Sequence, residues 1–194
     1  MAADNFIWFP SAATGGNLTG KSTQPQGETT DKFFSTKNAL ECLSVSFGVA
    51  QAETTSSAGT GSGAGKVKFE EIQIEKYVDL ASVPLYQACC AGAHFPTVML
   101  ANRKAGGSNL LYLQYIFRMV FVTGINWSGG GGDEMPKETI KFKFGVMGIQ
   151  YARQLPTGGA GVPISAYWSV LKNKPTLDVA ELTGSAPSFL SVQQ

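Results

Sequence analysis

The chain has 194 residues, a length that supports one domain with a sizeable core and is short for two. Charged residues make up 15% and the formal net charge is +1, which excludes a polycation that coats nucleic acid or an anionic membrane. No run reaches the roughly 18 consecutive apolar residues of a membrane-spanning helix, and MAADNFIWFP at the start carries neither the basic nor the apolar region of a cleavable signal peptide.

An undercharged, nearly neutral surface favours association, so an oligomer is expected. Three cysteines, two of them adjacent, do not read as a disulfide framework.

Apolar residues recur mostly with period two, the strand signature. The first strand is predicted at Asn5 to Phe9, stopped by Pro10, and Ser11 to Thr30 reads as a long polar loop. Ala39 to Gln51 reads as one alternating strand. Leu43, Val45, Phe47 and Val49 share one face; Cys42, Ser44, Ser46, Gly48 and Ala50 share the other. That second face is uniformly small. It fits close approach by another backbone, the lining of a wide aqueous passage, or a strand under a tight loop.

Residues 52–65 form a glycine-serine loop, and Lys66 opens a strand whose apolar phase switches between Phe69 and Ile72. The switch predicts a bulge near Glu70 and Glu71. One helix is predicted from about Ser82 to Ala91, with Ser82 as N-cap, Pro84 in its first turn and Gly92 at its exit. Leu85, Ala88 and Cys89 form its buried stripe.

Strands follow at Thr97 to Asn102, Leu110 to Thr123 and Glu138 to Tyr151. Leu113, Tyr115, Phe117, Met119 and Phe121 are expected on the core face of the second, with Gln114 and Arg118 interrupting its other face. Ile140, Phe142 and Phe144 alternate with Lys141 and Lys143, one face buried and one wet. Ile125 to Pro136 is a glycine-rich hairpin connection, and Ile164 to Leu171 is an apolar stretch that can add a strand. Several strands, one short helix and no βαβ rhythm give a mainly β fold, an antiparallel barrel or sandwich with a short flanking α-helix.

The chemical signals are weak. GTGSGAGK (Gly59 to Lys66) has Thr60 where a phosphate loop needs glycine and Val67 where it needs a hydroxyl. Cys90 and His94 could supply two metal ligands, but a stable zinc site needs three or four. Glu70, Glu71, Asp133, Glu134 and Glu138 read as solvated or subunit-bridging. No catalytic, cofactor or metal site is predicted. An enzyme on a β-sandwich, the competing class, requires titratable groups converging on His94.

The segment KVKFEEIQIEKYVDLASVPLYQACCAGAHFPTVMLANRKAGG (Lys66 to Gly107) resembles the Hcp family, the haemolysin-coregulated tube protein of type VI secretion. The matching positions are Lys76, Tyr77, Val78 and Asp79 at a strand end, then Leu85, Ala88, Cys89, Gly92 and His94. Arg103, Lys104, Ala105, Gly106 and Gly107 complete them. LECLSVSFGVAQ and GGDEMPKETIKFKFG resemble the flanking family segments, so the likeness spans about Asp4 to Gln154. Two departures stand out: the loop Ser11 to Lys37 is longer than the family pattern, and Pro84 sits one place late.

The resemblance implies a barrel of residues 1–155 with a C-terminal extension over 156–194, a terminal strand or an interface tail. It implies homohexameric rings that stack into a tube, partnered by sheath, spike and baseplate proteins and carrying small effector proteins, with no nucleic acid and no membrane insertion. It further implies synthesis in the bacterial cytoplasm and export without a cleavable signal. Under this reading Ser44 and Ser46 face the lumen and contact effectors. Gly61, Gly63, Gly130, Asp133 and Glu134 belong to ring or stacking interfaces. A tube subunit of a phage-tail-like extracellular contractile particle shares the architecture and is the alternative.

Overall fold

The computed structural model describes residues 3–18, 24–53, 64–104, 110–130, 135–179 and 188–191. Its strands are β1 (Ala3–Trp8), β2 (Leu40–Cys42), β3 (Ser44–Ser46), β4 (Val49–Glu53), β5 (Ala64–Phe69), β6 (Ile72–Tyr77), β7 (His94–Lys104), β8 (Leu111–Ser128), β9 (Lys137–Tyr151) and β10 (Ile164–Ser169). Helix α1 (Ser82–Ala91) lies between β6 and β7. Among the described residues the fold is mainly β and antiparallel with one α-helix, as the sequence pattern predicts.

The main sheet runs β2-β1-β7-β8-β9-β6-β3, with β10 also paired to β9, while β4 and β5 form a separate ribbon. Its two ends, β2 and β3, are separated in sequence by Leu43 alone. β2 pairs with β1 through Asn5↔Cys42, and β3 pairs with β6 through Ser44↔Glu75. The Leu43 N–H itself donates to the Glu75 carbonyl at 2.8 Å. One short segment therefore serves both edges and curls the sheet into a barrel, which hides edges that would otherwise invite pairing.

This closure corrects the single strand predicted over residues 39–51. A segment that changes partner midway cannot keep one alternation. Cys42, expected on the small face, is buried in the core, and Leu43, expected on the apolar face, is 47% exposed. Val45 and Phe47 keep the predicted phase and pack against the core. The break at Glu70 and Glu71 is likewise more than a bulge: it moves the chain from the β4–β5 ribbon into the barrel.

The barrel interior is filled by Ile7, Leu40, Ile74, Phe117, Ile140 and Phe142 with their neighbours, and Leu85 and Ala88 of α1 pack into the same cluster. Each such side chain contributes roughly 1.5–3 kcal/mol on burial. The helix exits at Gly92 with φ 63°, a left-handed conformation that favours glycine. Its entry differs from expectation. The N-cap residue is Ala81 and no side chain caps it; Ser82 is drawn into a buried polar cluster instead.

β8 is apolar on both faces because a second core lies outside the barrel wall. Phe6, Trp8, Phe34, Met99, Leu111 and Ile116 form it, covered by the segment around Phe33 and by Phe189 and Leu190. Burial on both faces explains the near-continuous apolar run. The predicted core stripe holds at Phe117 and at the partly buried Tyr115 but fails at Leu113, Met119 and Phe121, which are half-buried and do not join the interior cluster. Met119 adopts φ 53°, and from there Val120 and Val122 take the core positions. The neighbouring strand changes phase at the same level, with Phe142 and Phe144 giving way to Met147.

β9 is the branch point of the sheet. On one side it pairs with β8 along its length, while on the other β6 covers Lys137 to Phe142 and β10 covers Val146 to Tyr151. Between these two partners the Gly145 carbonyl accepts the Val170 N–H at 2.9 Å.

Phe117 is fully buried. Phe117→Asp places an unpaired carboxylate in that core, and the expected result is no cooperative thermal transition by circular dichroism. A folded, soluble variant would contradict this strand register.

Candidate functional site

Ser44 and Ser46 both point away from the core and are exposed, flanking the half-buried Val45. Residues directly opposite in an antiparallel ladder share a face, so the registers define what surrounds these serines. Ser46 lies opposite Gln73, Gln73 opposite Lys141, and Lys141 opposite Gly124. Ser44 lies opposite Glu75, Glu75 opposite Thr139, and Thr139 opposite Asn126. The outcome is a polar face four strands wide on β3, β6, β9 and β8.

Its charges are largely paired on the surface. Lys137 Nζ lies 3.6 Å from Glu75 and Lys143 Nζ lies 3.5 Å from Glu71. The Ser44 hydroxyl donates to Glu75 Oε2 at 3.4 Å. Such exposed pairs contribute little stability, but they leave a wet, nearly neutral face whose bulky rings, Tyr77 opposite Lys137 and Phe121 opposite Lys143, stand at its two ends. Of these residues, only the two serines stand out in the sequence. The signal for the rest was present in the polar positions of IQIEKY and KETIKFKF, whose partners become visible only with the register.

The reverse side of the same strands holds a buried ionic cluster. Lys76 is 1% exposed and Glu138 is 0% exposed, and they stand directly opposite on β6 and β9. Lys76 Nζ lies 2.6 Å from Asp79 Oδ1 and 2.8 Å from Glu138 Oε1, and donates to the Tyr77 carbonyl at 2.9 Å. The Ser82 hydroxyl donates to Glu138 Oε1 at 2.6 Å and accepts the Asp79 N–H at 3.0 Å. Trp127 Nε1 donates to Glu138 Oε2 at 3.0 Å. Glu138 was expected to be solvated or subunit-bridging. A buried cation opposite it supplies the reason it is neither.

A second polar anchor fixes the long loop to the barrel wall. Arg103 Nη1 lies 2.6 Å from Asp31 Oδ2, and its guanidinium sits over the rings of Phe6 and Phe34. Burial alone would raise the Asp31 carboxyl. The Phe34 N–H, Arg103 and the Phe33 N–H outweigh that effect and hold it below the usual carboxylate range.

Of the predicted interface residues, Gly130 is exposed just beyond β8. Gly61, Gly63, Asp133 and Glu134 lie outside the described residues, as does most of the glycine-serine loop. Two apolar surfaces add to them. Val49, Val67, Phe69, Met147, Ile149 and Trp168 line a groove of about 490 Å³ between the β4–β5 ribbon and the β9–β10 pair. Leu80, Val83, Tyr86 and Trp127 are exposed around the start of α1, with the Tyr86 and Trp127 rings 5.9 Å apart. Exposed apolar surface of this kind marks contact sites.

The thiols and the histidine occupy unlike settings. Burial pushes the Cys42 thiol up to about 12, although the Lys76 ammonium opposes the shift. Cys90 is exposed. The His94 ring lies 5.4 Å from that of Phe121, and burial lowers its pKa from the usual value. Among the described residues, no group of three or more His, Cys, Asp and Glu side chains is placed to hold a metal ion, and no helix is long and apolar enough to cross a membrane.

Comparison with known proteins gives consistent relatives. Residues 17–151 match the family model described as type VI secretion system effector, Hcp. The protein named hcp1 of Pseudomonas aeruginosa PAO1 is 31% identical over 110 residues, covering 56% of this chain and 68% of that protein. A solved structure described as a type six secretion system protein is 29% identical with TM-score 0.77, covering 90% of this chain and 100% of that one. The crystal structure of Hcp1 from Salmonella typhimurium is also 29% identical, with TM-score 0.69 and coverage of 91% and 100%.

Lys76→Met leaves the buried Glu138 and the partly buried Asp79 without their cation, and should cost about 3–5 kcal/mol by urea denaturation. The Asp31 pair has the opposite visibility, in pH. Its depressed folded value means the pair stabilises above the unfolded value near pH 4, and that stability disappears as pH falls through the folded value. Asp31→Asn should therefore flatten the acid limb of stability against pH, while a limb unchanged from wild type would exclude the pair as its source.

Proposed function

The chain belongs to the Hcp family of type VI secretion proteins, and from that premise we propose that it is a structural tube subunit forming stackable hexameric rings. The family is one of secreted tube proteins, structural rather than enzymatic. For this chain, the observation that carries the reading is the four-strand polar face around Ser44 and Ser46. A passage for small folded proteins needs a wide wall that neither grips by apolar contact nor repels by net charge.

In this proposal that face lines the lumen, and Ser44, Ser46, Gln73 and Asn126 contact the cargo. The apolar groove beside β10 and the exposed patch at the start of α1 are covered when copies meet. The glycine-rich connections carrying Gly61, Gly63, Gly130, Asp133 and Glu134 reach the adjacent ring. A heterologous contact closes into a ring when its rotation closes, and a ring with two unlike faces stacks head to tail. Sheath and spike or baseplate proteins are the remaining partners. The subunit is made in the bacterial cytoplasm and leaves the cell with the tube. The mechanism is one of shape: cargo is held by enclosure and moved by the tube.

Native mass spectrometry at micromolar concentration should show a closed hexamer without added ligand, and monomer alone would refute the reading. Ser46→Trp, which narrows the passage without touching the core, should keep the hexamer and lower co-purification of a small effector. Unchanged effector retention would place the serines elsewhere than the lumen.

A further inference from the structure

Two polar residues on the outer face of the first half of β8, Gln114 and Arg118, are buried, and both bond to main chain of the C-terminal region. Arg118 Nη1 donates to the Leu177 carbonyl at 2.8 Å. Gln114 makes a paired contact further along the chain. Its Nε2 donates to the Leu190 carbonyl at 2.9 Å, and its Oε1 accepts the Leu190 N–H at 3.0 Å. A side-chain amide thus serves both polar groups of one backbone residue, as a neighbouring strand would. Gln150 extends the arrangement, accepting from Gln114 at 3.2 Å and donating to Ser165 at 3.1 Å.

The apolar part of the contact is equally compact. The Phe189 ring stacks on Tyr167 with centroids 5.9 Å apart, and Phe189 and Leu190 both pack on the outer core. What this surface recognises is one backbone N–H and C=O pair flanked by two adjacent bulky apolar side chains. A groove of about 410 Å³, lined by Gln150, Val162 and Pro163 among others, runs beside Phe189, Leu190 and Ser191. The site is larger than its resident.

We propose that this surface is a peptide receptor that exchanges occupants: Ser188–Ser191 of the same chain fills it in the isolated subunit, and the same segment of a second copy fills it in the assembly. Every copy carries the matching segment, so the bonds that hold it within one chain re-form unchanged between two chains, the condition for low-cost swapping. Nine Cα–Cα steps separate Val179 from Ser188, a span of at most about 30 Å. That reach spans the chain's own site and limits exchange to a copy whose site lies within it. The inference rests on the ring reading only for bringing a second copy close.

The test uses full-length chains in a Cys90→Ser background. Gln114→Cys and Leu190→Cys are made separately, mixed, oxidised and run on a non-reducing denaturing gel, with ring mass followed in parallel by native mass spectrometry. A disulfide-linked pair containing one chain of each variant is the expected product. Linkage found only when both cysteines are in one chain would overturn the exchange. Should either variant fail to fold, a fluorescent peptide of residues 185–194 decides with the wild-type chain: saturable binding, displaced by unlabelled peptide, supports the receptor, and no binding at millimolar peptide overturns it. Exchange without rings would count against the hexamer alone, and rings without exchange against the receptor alone.

Discussion

A single buried ammonium group, that of Lys76, fixes the relation between three elements that the rest of the molecule depends on. It sits on β6, meets Glu138 on β9, and meets Asp79 just before α1. Ionic groups buried this way add little net stability compared with apolar packing, but removing one partner strands the others. Their best use is to specify a register. A one-residue slip between β6 and β9 would expose Lys76 and turn Gln73 and Glu75 inward. The polar face around Ser44 and Ser46 therefore depends on the charge cluster behind it.

The same cluster governs the surface beside the helix. Glu138 accepts from Trp127 as well as Ser82, so the indole is held by its N–H while its ring remains half exposed next to Tyr86. A rigid aromatic pair next to Leu80 and Val83 is a surface with little ordering entropy left to lose on contact. Core chemistry and contact surface are linked through one carboxylate.

A small barrel with a single interior core would leave the outer faces of β1, β7 and β8 wet. Here those faces are apolar and are covered from two directions, by the loop carrying Phe33 and Phe34 and by the C-terminal Phe189 and Leu190. Arg103 and Asp31 pin the first cover, and Gln114 pins the second. The long segment between β1 and β2 is thus part of the packed wall at Phe33, Phe34 and Ala39. Its Gly27 also permits close backbone approach, because a Cβ there would fall 2.0 Å from the Ala39 carbonyl oxygen. Low surface charge follows from the same economy of a chain that offers faces for cover and contact.

Local pattern was enough to determine the β class, the helix from Ser82 to Ala91 with its Gly92 exit, the wet lysines of β9 and the family. Each of these follows from periodicity, from a conformation only glycine adopts easily, or from a linear motif. Tertiary structure alone decided that residues 39–51 divide between two edges of a closed barrel, that Glu138 and Lys76 turn inward together, and that Gln114 holds the chain's own end. Those outcomes depend on partners between 31 and 76 positions away along the chain. Alternation reports which side of a strand an amino acid prefers; only closure of the sheet determines which partner makes that side tolerable for a charge.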